Sequence, residues 1–198
     1  EHQKNRTRDE LPQSAAGKTI MTTEPKFVPK EAARIDLGED TAVKVRLVDC
    51  VGYLVPGALG DQEDGQPRMV ATPWDEEKLP FEKAAEIGTD KVIREHATIG
   101  IVVTTDGSIG TMEPGSYGEA ENRVIRQLQA LHKPFVVVLN SVHPESDSAR
   151  EHADVMEEKY GVPVLPLDCA KASQAQLTEL MSRLLGRFPM KEIRFSLP

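Results

Sequence analysis

The sequence predicts an α/β domain with a mostly parallel sheet and flanking helices. From residue 40 onward, apolar runs of strand length alternate with stretches of helical spacing in the order β-α-β-α-β-α-β-α, the pattern of a sheet built by crossover connections. Two of the runs, TIGIVVTTD (98–106) and PFVVVLNSV (134–142), are nearly continuous in apolar residues, as parallel strands covered on both faces are. The runs also end in small, polar or Gly-containing segments. Sheets of this kind bind ligands there, beyond the carboxyl ends of their strands.

Taken in order, residues 1–25 are polar and without period. KFVPKEAARIDLGEDTAVKVRLVDC then reads as two strands about the turn signal Leu37-Gly38-Glu39-Asp40. In the second, Val43, Val45, Leu47 and Asp49 alternate with Lys44, Arg46 and Val48, which suits a strand near a sheet edge with one face buried. Residues 53–80 carry Pro56, Gly57, Gly60, Gly65, Pro67, Pro73 and Pro80; a connection this long in a compact domain is functional or disordered. PFEKAAEIGTDKVIREH has helical spacing, with Pro80 near its start. After the strand at 98–106, a helix is expected over 117–131, from Ala120, Val124, Leu128 and Leu131. The strand at 134–142 is followed by a helix at 147–160, a strand PVLPLDC at 163–169 and a helix over 173–187. Phe188-Pro189 ends the last helix, so the domain is placed at 1–188, with 189–198 a linker or the first strand of a following domain.

The chain has 198 residues, enough for one domain or one domain and a fragment of another. Its 24 basic and 32 acidic residues give a net charge of −8, which argues against a nucleic-acid partner, since that role needs clustered Lys and Arg. Cys50 and Cys169 form no metal or disulfide pattern. Each ends an apolar run, so both are expected as buried free thiols of a reducing cytosol. No apolar run approaches the roughly 18–20 residues of a membrane span. The five histidines have no ligand spacing and read as surface residues. The absence of Met at position 1 suggests a sequence that begins partway through a longer protein.

The chemistry lies in the residues just past the strands. Asp49-Cys50-Val51-Gly52 is a D-x-x-G at the end of a strand. In GTPase-like nucleotide switches that Asp reaches Mg²⁺ through water, and the Gly N–H contacts the γ-phosphate with no Cβ in the way. The alternative is an ordinary Asp-to-Gly turn. Thr22-Thr23 precedes the strand at Lys26, where a switch threonine would close over the metal. The phosphate loop itself, G-x-x-x-x-G-K-[ST], is missing: Gly17-Lys18-Thr19 has Pro12 where the first glycine belongs, and RTRDEL before it is no buried strand.

The guanine-reading N-K-x-D is represented by Asn140-Ser141-Val142-His143. A neutral His cannot replace the Asp that accepts two hydrogen bonds from guanine, which favours ATP or relaxed specificity over GTP. Asn140 could instead merely cap the strand end. Cys169-Ala170-Lys171 resembles the S-A-K element that supports the base, or Lys171 is a solvated residue at a helix start. Tyr53 and Trp74 would anchor a partner or pin the long loop to the body, and Asp106-Gly107 reads as a turn on the ligand-facing rim.

DELPQSAAGKTIMTTEPKFVP, VRLVDCVGY and PFEKAAEIGTDKVIREHATIGIVVTTDGSIG together resemble the stage IV sporulation protein A family, strongly over residues 9–142 and more loosely from 143 onward. The resemblance implies a morphogenetic ATPase of endospore-forming bacteria, related to translation-factor GTPases. Such a protein polymerises into the basement layer of the spore coat after hydrolysing ATP. It also implies a cytoplasmic location in the mother cell, at the outer forespore membrane. Docking there is through a small amphipathic anchoring peptide, and other coat morphogenetic proteins are recruited.

By position, the family's sensor threonines fall on Thr22 and Thr23 and its Walker B-type aspartate on Asp49. The family's P-loop would lie upstream of residue 1, and its membrane-targeting C-terminal region beyond residue 198. The expectation is therefore a P-loop NTPase domain of the GTPase-like class lacking its first strand, P-loop and first helix, inactive by itself. In the intact protein ATP and Mg²⁺ would meet Thr22, Thr23 and Asp49. Gly52 would sense the γ-phosphate, and Asn140, Ala170 and Lys171 would lie at the base. The competing readings are a nucleotide-free self-assembling scaffold and a genuine GTPase.

Overall fold

The structure is a computed structural model that describes residues 26–38, 41–58, 60–73, 75–110 and 115–188. Thr22, Thr23, Trp74 and the segment 189–198 lie outside the described residues. The chain opens with an antiparallel hairpin, β1 (Lys26–Gly38) and β2 (Thr41–Asp49). Lys26 faces Asp49 and Ile35 faces Val43, with a register shift between Val28 and Ala33. Pro29 falls in that shift, where its missing N–H costs no ladder bond.

The stretch after β2 is more ordered than its Gly and Pro content suggests. β3 (Gln62–Glu63) and β4 (Gln66–Pro67) form a two-residue hairpin. Its central residues, Asp64 and Gly65, have φ of 52° and 76°, as a type I′ turn requires. β5 (Met69–Thr72) then pairs antiparallel with β6 (Asp75–Pro80). β6 delivers Pro80 to the start of helix α1 (Phe81–Lys91). α1 runs into a π-helical turn, Val92–His96, closed by the Ala97 N–H on the Val92 carbonyl at 2.8 Å. The Lys133 ammonium caps that turn by donating to the carbonyls of Arg94 (3.1 Å) and Ala97 (2.5 Å).

The predicted alternation follows: β7 (Gly100–Thr105), α2 (Gly118–Ala130), β8 (Phe135–Asn140), α3 (Asp147–Tyr160), β9 (Val164–Leu167) and α4 (Gln174–Leu185). The strands form a parallel sheet in the order β7-β8-β9. α3 starts on a Ser146 side-chain cap and stops at left-handed Gly161 (φ 66°). α4 starts on a Ser173–Gln176 capping box. β8 is buried on both sides. Phe135, Val137 and Leu139 face a core with Ile125 and Leu128 of α2 and Met156 of α3, while Val136 and Val138 face Leu180, Met181 and Leu184 of α4.

The parallel sheet is smaller than the sequence pattern suggests. Among the described residues the β1–β2 hairpin forms a two-stranded sheet, and it joins the α4-side core through Ile35 and Val45. β7 is not covered on both faces: Val102 and Thr104 are buried, but Val103 is 58% exposed. Leu47 of β2 is 55% exposed, so the expected buried face holds only for its half-buried neighbours Val43 and Val45. Cys169, expected as a buried thiol, is exposed because it lies past the end of β9, in the turn before α4. The described histidines, His96, His132, His143 and His152, are all at the surface, as expected.

Candidate functional site

The carboxyl ends of β7, β8 and β9 form one rim, stitched by hydrogen bonds. Past β7, Gly107 adopts φ 88°, and its N–H donates to Thr105 Oγ1 at 3.1 Å. The Asp106 carboxylate accepts from the Ser108 N–H (2.9 Å) and hydroxyl (2.5 Å). Burial pushes the Asp106 pKa up, but hydrogen bonds from Ser108 and Ser141 outweigh it and hold the carboxyl below its ordinary range. Ser108 Oγ also accepts from the Val142 N–H at 2.9 Å, tying the β7 loop to the β8 loop. The predicted turn at Asp106-Gly107 is therefore present and cross-linked to its neighbour.

At the end of β8, Asn140 Oδ1 accepts from the Cys169 N–H at 3.0 Å. Past β9, the Asp168 carboxylate accepts from the N–H groups of Ala170 (3.0 Å) and Lys171 (3.2 Å) and meets the Lys171 ammonium at 3.1 Å. The Lys171 side chain, first of all, holds Asp168 below the usual carboxylate range. The structure thus brings Asn140, Ala170 and Lys171 together. Their immediate partners are the Cys169 backbone and Asp168, a residue that the spacing of the motif does not single out.

Asp49 and Gly52 stand elsewhere, at the end of β2. Asp49 is reached by solvent, yet the surrounding protein dehydrates its carboxyl enough to raise the pKa, against the lowering effect of the Cys50 N–H. Gly52 has φ 81°, and no atom lies within 4 Å of where a Cβ would be. Its backbone conformation therefore favours glycine, while the space on that side is open. Burial raises the Cys50 thiol, which lies against the Gly52 backbone and the Thr89 side chain of α1.

The residue after this turn, Tyr53, is clasped by two helices. Its hydroxyl donates to Gln127 Oε1 at 2.5 Å, and the Arg123 guanidinium stacks on its ring 3.9 Å from the centroid. Arg123 is paired with Glu86 of α1, and Gln127 Nε2 donates to Asp90 Oδ1 at 2.5 Å. Burial raises the Tyr53 phenol, although Arg123 opposes the shift. Tyr53 therefore pins the segment after D-x-x-G to the body, the blander of the two roles open to it. A cavity of about 250 Å³ opens beside the clasp, lined by Val55, Glu82, Glu119 and Arg123 among others. Deeper, Glu121 accepts from Thr104 Oγ1 (2.8 Å) and from the Tyr160 hydroxyl (2.6 Å), linking β7, α2 and α3 under the rim.

Among the described residues no three His, Cys, Asp or Glu side chains gather into a metal cage. Mg²⁺ needs no such cage. It keeps several waters and is held by one or two carboxylates together with substrate phosphates. Asp49, a single accessible carboxylate at a strand end, fits that limited part.

A parallel sheet flanked by helices, with its polar loops at the strand carboxyl ends, fits a P-loop NTPase-like domain. Residues 1–189 match the family described as stage IV sporulation protein A, ATPase domain. The chain is 53% identical over 198 residues to stage IV sporulation protein A of Clostridioides difficile (strain 630), covering 100% of this chain and 40% of that protein. It is 50% identical over 196 residues to the Bacillus subtilis (strain 168) protein of that name, covering 98% and 39%. To that of Bacillus anthracis it is 47% identical over 198 residues, covering 100% and 40%. The chain belongs to this family and spans about 40% of the length of the curated relatives it matches. No solved structure matches it.

Proposed function

We propose that this chain carries the switch half of the site of a Mg²⁺-dependent sporulation ATPase, whose reaction is ATP plus water to ADP plus phosphate. The observation that carries the proposal is the end of β2. An accessible carboxylate, Asp49, is followed by a glycine held at φ 81° with open space beside it, and Tyr53 next in line is tied to α1 and α2. When bound, Mg²⁺ neutralises charge on the phosphates. Asp49 would hold the metal through a water of its hydration shell, and Thr22 or Thr23 would supply a hydroxyl to the metal or to the attacking water. The Gly52 N–H donates to the γ-phosphate. Asn140, Ala170 and Lys171 form the loops nearest the base, where His143 in place of an acidic acceptor disfavours guanine.

The phosphate-binding loop of this site comes from polypeptide outside these residues, so the chain alone does not hydrolyse ATP. Turnover releases the clasp at Tyr53 and exposes a surface for self-association. The homopolymer is the basement layer of the spore coat, at the outer forespore membrane on the mother-cell side. An amphipathic anchoring peptide and other coat morphogenetic proteins are its partners, and nucleic acid is not. The test uses the full-length protein with ATP or GTP and Mg²⁺, following phosphate release and sedimentable polymer. ATP is expected to be turned over in preference to GTP, and polymer to require turnover. GTP preference, or equal assembly without nucleotide, would overturn the proposal.

A further inference from the structure

We infer that Asp168 is a specificity-determining residue of the nucleotide site: its carboxylate selects a purine with an amino group at position 6 over one with an oxo group there. The inference deepens the reading above and rests on it, since it takes the loops after β8 and β9 to lie nearest the base. Selection depends on which hydrogen-bonding groups those loops leave available. Three consecutive backbone N–H groups after β9 are already taken. That of Cys169 donates to Asn140 Oδ1 at 3.0 Å. That of Ala170 donates to Asp168 Oδ1 at 3.0 Å. That of Lys171 is shared between Asp168 Oδ1 (3.2 Å) and the Asp168 carbonyl oxygen (3.1 Å). The N–H groups of Ala170 and Lys171 thus converge on one point, and a carboxylate oxygen of this chain occupies it. An oxo group of a ligand would have to compete for the same donors.

The two purines differ on that edge. Both present N7 as an acceptor, but at position 6 adenine carries an N–H₂ donor and guanine an oxygen acceptor. The side-chain N–H groups of Asn140 suit N7 of either base and so do not discriminate. Asp168 does. An ionised carboxylate only accepts, and the Lys171 side chain, its ammonium 3.1 Å from Oδ2, holds this one below the usual carboxylate range. A carboxylate has about four lone-pair sites. The contacts above use two on Oδ1 and one on Oδ2, which leaves Oδ2 able to receive a 6-amino group. A 6-oxo oxygen in the same place meets a charged acceptor with no proton between them, and finds its backbone donors engaged. Such a repulsive element discriminates more strongly than the loss of one favourable contact. His143 withholds a contact from guanine, whereas Asp168 offers one that only a 6-amino purine can make.

The experiment compares ATP with inosine triphosphate, which carries the 6-oxo group without the 2-amino group of guanine. Each displaces a fluorescent ATP analogue from full-length protein in the presence of Mg²⁺. The unmodified protein is expected to bind ATP at least about tenfold more tightly. Asp168→Asn keeps an oxygen for the backbone N–H groups and adds N–H donors that an oxo group can accept from. The ratio should then fall at least about fivefold, chiefly through tighter binding of inosine triphosphate. Asp168→Ala, which releases the backbone donors outright, should move the ratio the same way, and decides the matter should the Asn variant fail to fold. A role in shaping the turn alone would weaken both nucleotides together and leave the ratio as it was. An unchanged ratio therefore overturns the inference even in a protein that hydrolyses ATP, and so does equal binding of the two nucleotides by the unmodified protein. The expected shift in a protein that binds ATP without hydrolysing it would sustain the role of Asp168 and refute the catalytic reading. Binding of neither nucleotide would overturn both.

Discussion

Removing the Arg123 guanidinium should loosen the segment after D-x-x-G by a measurable amount. Arg123 stacks on the half-buried Tyr53 ring at 3.9 Å and pairs with Glu86, its own side chain being 51% exposed. A cation–π contact is worth about 0.5–1 kcal/mol when exposed and about 2 when desolvated, so about 1 kcal/mol fits this half-buried geometry. The exposed ion pair adds about 0.2–1 kcal/mol. Arg123→Gln, which keeps most of the aliphatic stem, should therefore cost about 1–2 kcal/mol, a fall in Tm of roughly 3–6 °C for a domain of this size. Thermal unfolding of Tyr53→Leu, Arg123→Gln and the double variant isolates the contact. The coupling should be about 1 kcal/mol. Additivity within about 0.3 kcal/mol would show that Tyr53 and Arg123 do not act as a clasp, and the route from Gly52 to α1 and α2 would fail with it.

Other positions give independent checks. The Asp49 carboxyl has a raised pKa, so its charged form opposes folding and any stabilisation it gives is lost as pH rises through the folded pKa. Asp49→Asn should thus leave Tm at neutral pH unchanged or slightly higher, within about 0.5 kcal/mol, as read by calorimetry. A Cβ at Gly100 would lie 3.2 Å from Leu128 Cδ1 and from Phe135 Cβ, so Gly100→Ala should cost about 1–3 kcal/mol by overpacking, measured by denaturant unfolding. Burial and the hydrogen bond to Glu121 push the Tyr160 phenol above its ordinary 10.0. Its contribution is full below pH 10 and falls as pH rises further, because only the unfolded chain ionises there. Tyr160→Phe should cost about 1.5–3 kcal/mol at neutral pH, and the gap to wild type should narrow above about pH 10.

The elements that the sequence shows most clearly are those whose signals are local. FVVVLN is apolar at every position but the last, which suits a strand buried on both faces, and α3 keeps its expected limits because Ser146 caps one end and Gly161 ends the other. Asp64-Gly65 carried a hairpin signal inside a stretch that its prolines and glycines made look like plain loop. The exposure of Val103 and Leu47 could not be read from their own runs, since it depends on what lies beside β2 and β7. Of the candidate site, the strand-end positions of Asp49, Gly52 and Asn140 were legible from order alone. The role of Asp168 was not, because it takes a folded turn to aim one carboxylate at the N–H groups of Ala170 and Lys171. The Tyr53–Arg123 contact joins residues far apart in the chain, and no local pattern announces it.

Mg²⁺-dependent phosphate release from ATP by full-length Asp49→Asn tests the central claim most directly, since this change is expected to leave Tm unchanged or slightly higher. A fall of roughly hundredfold, comparable to loss of one preorganised group at a reacting centre, is the predicted result. A rate within twofold of wild type, at unchanged Tm, would contradict the assignment of Asp49 and Gly52 to the catalytic site.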